Sequence, residues 1–321
     1  MEYRLLGRTG LRVAEIGFGA WAIGGTSWGP QDDEDSLRAL ARYFELGGNF
    51  IDTARAYGNG HSEKLIGQAL RERGRRDDVV IATKVPPANR KWGPGPEISI
   101  EQAFTPQYIR ETCEASLQEL GVETVDVLQL HTWAEHFNDN MDDVAAVFQT
   151  LKDEGKIRAA GISVSDHKSG EANPAIAAGW VDSIQFVFNI LVQEPTQNLL
   201  PAARQFDVGL IARVPLASGA LSGTWTADKK FEEGDHRKGM EKRLPEILDK
   251  VQAVRGIIGD EMSLLHGALK FCIKPSEVST VIPGIRNPQQ AEDNCAASGE
   301  PILSAEKFDR LEKLALNELR A

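Results

Sequence analysis

Eight short runs rich in β-branched residues, each followed by a stretch with helical spacing, constrain this chain more than any other feature. The runs cover residues 16–20, 50–53, 79–85, 125–131, 157–164, 183–188, 208–213 and 279–283. Between them the helix signals are explicit. Thr105-Pro106 supplies an N-cap and a proline at the first helical position, Ile109, Cys113, Leu117 and Leu120 keep helical spacing, and Gly121 closes the helix. Asn287-Pro288 opens another in the same way, and the helix after the first run is expected to bury Leu37, Leu40, Ala41 and Phe44 before stopping at Gly47-Gly48. Strand-then-helix units repeated eight times favour a closed parallel α/β barrel over an open doubly wound sheet. The open sheet would carry a glycine-rich turn directly after its first strand; here Gly17-Phe18-Gly19 is followed by Gly24-Gly25, which misplaces the third glycine.

Ahead of the barrel, the apolar-bearing runs 3–6 and 11–13 flank Gly7-Arg8-Thr9-Gly10 and predict an N-terminal β-hairpin. Two insertions, 86–105 and 221–243, follow the third and seventh strands on the side where barrel enzymes build their sites. The whole chain, 1–321, is expected to form one domain. With 36 basic against 47 acidic side chains, a net charge of −11 argues against nucleic acid or an anionic membrane as the main partner. Three cysteines, none spaced as CxxC, fit a reduced, cytoplasmic protein, with Cys113 a core residue. No apolar stretch approaches the length of a membrane span, and no metal-ligand cluster is visible.

Four ionisable residues fall where strand ends converge: Asp52 ends the second strand, Tyr57 lies in the loop after it, Lys84 is near the end of the third, and His131 ends the fourth. Lys84 interrupts the apolar run Val79-Val80-Ile81-Ala82-Thr83, and an unpaired lysine there would be costly to bury. Asp52 on the adjacent strand is its expected partner. A phenol near a cation can protonate a carbonyl oxygen that a histidine orients, with the cation expected to lower the phenol's pKa from about 10. No side chain donates hydride, so a cofactor must supply it. Taken one at a time, Tyr57 could be a packed loop aromatic, His131 a strand-end histidine, and Asp52–Lys84 a staple between strands; their occurrence at consecutive strand ends favours a shared role.

The segment Phe50-Ile51-Asp52-Thr53-Ala54-Arg55-Ala56-Tyr57-Gly58-Asn59-Gly60-His61-Ser62-Glu63 resembles the signature of the aldo-keto reductases. The similarity continues through Ala82-Thr83-Lys84, Asp126–His131, residues 155–163 and Ile282-Pro283-Gly284-Ile285-Arg286-Asn287. It implies a (β/α)8 TIM barrel, a nicotinamide cofactor, and a catalytic set of Asp52, Tyr57, Lys84 and His131. Carried over position by position, it further implies cofactor contacts by Ala20, Trp21, Ser163, Gln185, Arg213, Leu216, Ser218, Gly284, Arg286, Gln290 and Asn294. Arg286, whose guanidinium can grip a 2′-phosphate, points to NADP. The implied reaction is reversible NADPH-dependent reduction of an aldehyde or ketone, a sugar among the candidates. A slow-turnover cofactor sensor on the same barrel is the alternative.

Three positions depart from the family pattern. Val164 stands where asparagine is frequent, leaving a carboxamide contact either missing or replaced by Ser165; Arg213 replaces an aromatic; and Thr224 replaces a lysine, shifting phosphate binding toward Arg237 or Arg243. Trp21, Trp28, Trp92 and Trp133 are candidate walls for a small carbonyl substrate.

Overall fold

The alternation of strands and helices closes into a barrel in the computed structural model, which describes residues 1–318 apart from 26, 167 and 300. An antiparallel hairpin, β1 (Tyr3–Leu5) and β2 (Arg12–Ala14), precedes it. Eight parallel strands follow: β3 (Phe18–Gly19), β4 (Phe50–Asp52), β5 (Val80–Val85), β6 (Val125–Leu130), β7 (Ile157–Ser163), β8 (Ser183–Val187), β9 (Gly209–Arg213) and β10 (Val278–Ile282). They pair in sequence order. Bridges from Ile16 to Val281 and from Gly19 to Gly284 join the first to the last and close the ring.

The closing strand is shorter than its apolar run. β3 spans only Phe18–Gly19, and Gly19 N donates to Pro283 O at 3.0 Å. A Cβ at Gly19 would lie 2.8 Å from the carbonyl oxygens of both Ile282 and Pro283, so only glycine lets the last strand approach this closely. Gly19, inside the first run, thus serves barrel closure.

At the N-terminal end, the hairpin drives Leu6, Leu11 and Val13 against Phe50, Val80, Val127, Ala159, Ile211 and Ile282, which seals the interior. The opposite end is left open, and both insertions emerge there. The first contains the short helix α3 (Ile100–Ala103), which carries a capping box built from Ser99 and Gln102. The second crosses the barrel mouth, where His236 N donates to Ser27 O at 3.0 Å.

The helix after β3, α1 (Asp33–Glu45), is turned from the expected face. Its buried residues are Ser36, Ala39, Leu40 and Tyr43, while Ala41 is exposed and Leu37 and Phe44 are only half-buried. The reason is polar. Tyr43 Oη shares its one proton between the carbonyls of Ile16 (3.0 Å) and Phe50 (2.9 Å) and accepts from Phe50 N at 3.2 Å, serving backbone beside the narrow closing strand. Phe44 instead takes the Arg73 guanidinium 4.4 Å from its ring centre. Tyr43→Phe should therefore lower the unfolding free energy by about 1–3 kcal/mol, the usual consequence of leaving buried backbone groups short of a partner. A shifted urea midpoint at constant slope would report it.

Three other helices matter for the site. In α2 (His61–Arg73) the first turn buries Ser62 and Glu63, and α4 (Pro106–Leu120) buries Ile109, Cys113, Leu117 and Leu120 as its spacing predicts. The helix Pro288–Cys295 is capped by the Asn287 side chain, which accepts from Gln290 N at 2.9 Å. No helix among the described residues is long and apolar enough to cross a membrane.

Candidate active site

A cavity of about 1090 Å³ occupies the open end of the barrel, lined by residues at or just beyond the ends of every barrel strand except β5 and by both insertions. At its floor, the adjacent strands β4 and β5 bring Asp52 and Lys84 together. Lys84 Nζ donates to Asp52 Oδ2 at 2.7 Å, to Thr53 O at 2.8 Å and to Tyr57 Oη at 3.4 Å, which employs all three ammonium donors. Gln185 Nε2, from β8, donates to the other Asp52 oxygen at 2.6 Å. Lys84 is fully buried behind Asp52; Asp52, Tyr57 and His131 line the cavity.

Tyr57 is held by its neighbours on both sides. It opens a turn, Tyr57–Gly60, in which Gly58 is left-handed at φ 61°, and a Cβ there would meet Gly24 O at 2.2 Å. Beneath the turn, Ser62 Oγ bonds Thr53 Oγ1 (2.9 Å) and donates to Ala20 O (3.1 Å), and Glu63 accepts from Thr83 Oγ1 at 2.7 Å. Glu63 is a residue whose anchoring part in this loop the strand-end reading missed. The His131 ring lies edge-on to Tyr57 at 5.6 Å, and Trp92 lies edge-on to His131 at 4.7 Å.

The electrostatics differ from the expectation of a phenol made more acidic by cations. Burial, followed by the Asp52 charge, pushes Tyr57 well above its ordinary value of 10, against which Arg213 acts in the opposite sense. Burial also lowers Lys84, with Asp52 opposing. His131 is driven well below 6.5 by burial and then by the positive charges of Lys84, Arg213 and Arg90, so it is neutral at physiological pH. Its Nδ1 is buried without a partner among the described residues. The site thus holds a protonated phenol and a neutral imidazole beside a buried ion pair, an arrangement suited to protonating an oxygen that gains negative charge.

Toward the rim, Trp21, Ser163, Gln185, Arg213, Leu216, Ser218, Gly284, Arg286, Gln290 and Asn294 all line the cavity. Ala20 does not; it is fully buried, with its carbonyl taken by Ser62. Trp133 is also fully buried and packs against Phe137, so it forms no wall, whereas Trp21, Trp28 and Trp92 do line the cavity. Ser165 Oγ donates to Trp133 O at 2.9 Å, and Thr224 Oγ1 bonds Ser222 Oγ at 2.8 Å. Arg213 Nη2 meets Val164 O at 3.1 Å and Asp166 Oδ1 at 2.5 Å. Arg243 is engaged by Glu246 (2.9 Å) and is not among the lining residues; Arg237 lines the cavity, but Asp235 holds it at 2.5 Å. Three lining cations were not foreseen, Arg90, Lys168 and Lys229, because all lie in aperiodic loops.

The residues present fit a nicotinamide dinucleotide. In the lining loop 214–219, Val214 (φ 57°), Ala217 (φ 47°) and Ser218 (φ 57°) are all left-handed without being glycine. For a β-branched valine this conformation is strained, and such strain persists where a loop is shaped for a purpose. Successive backbone N–H groups in turns of this kind form anion-holding concavities. Gln185, having spent its NH2 on Asp52, keeps Oε1 as an acceptor suited to a carboxamide. Among the described residues, no group of three or more His, Cys, Asp or Glu could hold a metal ion.

Comparison with known proteins agrees with the fold. The model of the aldo/keto reductase family matches residues 15–316. An aldo-keto reductase of Bacillus subtilis is 30% identical over 96% of this chain and 92% of its own, and an NADH-specific methylglyoxal reductase of Escherichia coli is 31% identical over 91% and 92%. Among solved structures, an aldo-keto reductase from Bacillus halodurans in its holo form superposes with a TM-score of 0.79 at 28% identity, covering 98% of this chain and 96% of that one.

Proposed function

Since this chain belongs to the aldo/keto reductase family, we propose that it reduces an aldehyde or ketone with NADPH, Tyr57 supplying the proton. The observation that carries this reading is the contact of the buried Lys84–Asp52 pair with the Tyr57 hydroxyl, beside a neutral His131 and at the floor of the cavity. When bound, the nicotinamide supplies hydride to the carbonyl carbon. The chain does the rest. Tyr57 Oη–H donates to the carbonyl oxygen as charge builds on it. His131 hydrogen-bonds the same oxygen and orients it. Lys84 holds the phenol in place and stabilises the phenolate left behind. Ser163 and Gln185 engage the carboxamide, and the 214–219 loop takes the pyrophosphate.

The choice of NADP rests on two guanidiniums at the far end of the cavity. Arg286 is half-buried, and burial followed by the nearby positive charge of Arg237 lowers its pKa. A 2′-phosphate between the two would relieve that repulsion. Arg286 also donates to Gln31 Oε1 (2.7 Å) and Trp28 O (3.0 Å), fixing the loop over the same end. Because of this second job, the readout is a ratio of affinities. Titrating NADPH and NADH against the tryptophan fluorescence should give NADPH the tighter binding, and Arg286→Ala should cut the NADPH:NADH affinity ratio by about 10- to 100-fold, the range of a charge-assisted contact. Equal affinities in the unaltered protein would overturn the NADP assignment. Loss of reduced-nicotinamide absorbance with a panel of aldehydes, ketones and sugars tests the reductase reading itself.

A further inference from the structure

The first insertion carries two features that the reductase chemistry leaves unused. Arg90 adopts a left-handed backbone, φ 57°, although it is not glycine. Its guanidinium lines the cavity, yet it makes no hydrogen bond, ion pair or ring contact with any described residue. Two residues on, Trp92 is 51% exposed while its ring sits 4.7 Å from His131. Both features cost free energy in the protein alone: a strained backbone at one position and a large apolar ring left in water at the other. Both are aimed at one place, the cavity mouth beside His131.

The other charges on this side cancel. Arg213 is paired with Asp166 at 2.5 Å, and Lys168 with Glu171 at 3.1 Å. Among the described residues, three cations that line the cavity lack an acidic partner, Arg90, Lys229 and Arg286, and of these Arg90 is the one whose charge acts on His131, in a chain whose net charge is −11. A local positive potential at the mouth of an acidic protein attracts an anion that the protein as a whole would repel. A planar fork of N–H donors matches the geometry of a carboxylate or phosphate, and the adjacent indole offers a flat surface for an apolar or aromatic body.

Resting on the reductase reading, we infer that the substrate is a carbonyl compound bearing an oxyanion, a carboxylate or phosphate, away from the reacting carbon. Arg90 binds the anion and Trp92 covers the connecting body, so that the carbonyl is delivered to Tyr57 and His131. Arg90 is a specificity determinant with no part in proton transfer.

Two aldehydes of the same shape test this, 4-formylbenzoate and its neutral isostere 4-formylbenzamide, with NADPH at low ionic strength. The unaltered protein is expected to favour the carboxylate in kcat/KM by at least about tenfold, and the preference should shrink in added salt. Arg90→Gln should bring the ratio close to one, chiefly through KM for the anion, because the contact is made equally in ground and transition states. Arg90→Lys should keep part of the preference and Arg90→Glu should reverse it. Arg90→Gly relieves the left-handed strain, so it should melt no lower than the parent while still losing the preference, which separates recognition from folding. A ratio near one in the parent, or an unchanged ratio in Arg90→Gln, overturns the inference. For phosphate as the anion, glyceraldehyde 3-phosphate against glyceraldehyde gives the same comparison. If no carbonyl compound of the wider panel consumes reduced nicotinamide, the reductase reading fails. The anion site is then decided by calorimetry of 4-(hydroxymethyl)benzoate against 4-(hydroxymethyl)benzamide on the NADP-loaded protein, where a lack of Arg90-dependent preference overturns it.

Discussion

Tyr57→Phe is expected to lower kcat for carbonyl reduction by about 10²- to 10⁴-fold, the contribution of a positioned general acid, with NADPH affinity nearly unchanged. The variant removes one hydroxyl whose protein contact is the 3.4 Å approach of Lys84 Nζ, so folding has little to lose. The pH dependence carries the mechanistic content. Burial and Asp52 keep Tyr57 protonated well above 10, and burial keeps His131 neutral well below 6.5. A phenol with so high a pKa is a poor acid toward water but still a better one than the alcohol being formed, so proton transfer to a developing alkoxide remains downhill. The rate of reduction should accordingly stay level from about pH 6 to pH 9, with no histidine limb on the acid side and a decline only where Tyr57 ionises. Alcohol oxidation, which needs the phenolate, should rise through the same range. Steady-state kcat/KM in both directions, for parent and Tyr57→Phe, measures this. Wild-type kcat in the variant would remove Tyr57 from the mechanism, and an acid limb near 6.5 would mean that His131 titrates in the free enzyme.

What the amino-acid sequence revealed and what it hid follow from the range of the interactions involved. Strands and their order were legible because each inward and outward face is apolar, which leaves runs such as Val79–Val85 that periodicity can find. Asp52, Lys84 and His131 were legible because each breaks such a run at a strand end, where burial makes an unpartnered charge improbable. The face of α1 was not. Its apolar stripe pointed to Leu37 and Phe44, but Tyr43 faces the barrel because its hydroxyl serves the carbonyls of Ile16, 27 residues before it, and Phe50, 7 residues after it. Trp133 was misassigned to the cavity for a related reason: three residues beyond Leu130, where β6 ends, its ring turns into the core against Phe137. Arg90 and Lys229 lie in insertions without periodicity, where tertiary packing alone sets direction. The engagement of Arg237 and Arg243 was within reach, since their acids, Asp235 and Glu246, stand two and three residues away.

Lys84→Met should be the most damaging single change to stability near the site. Met fills a similar volume but leaves the Asp52 carboxylate buried with Gln185 as its remaining side-chain partner. Removing one member of a buried pair costs about 3–5 kcal/mol, because the other charge stays uncompensated. The sign of the pH effect follows from that charge. In the variant a buried carboxylate stands with no cation beside it, so the folded state gains by taking up a proton there. The variant is therefore most competitive at low pH and loses ground as pH rises and that proton is lost. Urea midpoints at about pH 5 and pH 7.5 should show the deficit against the parent widening at the higher value. Asp52→Asn in the Lys84→Met background removes the stranded charge and should recover most of the loss, since a buried pair replaced as a unit is close to neutral in stability. Turnover should not return with it. Without the ammonium, nothing stabilises the Tyr57 phenolate as its proton leaves, and kcat should remain depressed by about 10²-fold or more even in the well-folded double variant. Recovery of stability and activity together would reduce the pair to a staple between β4 and β5; recovery of stability alone assigns Lys84 a chemical task that the fold does not require of it.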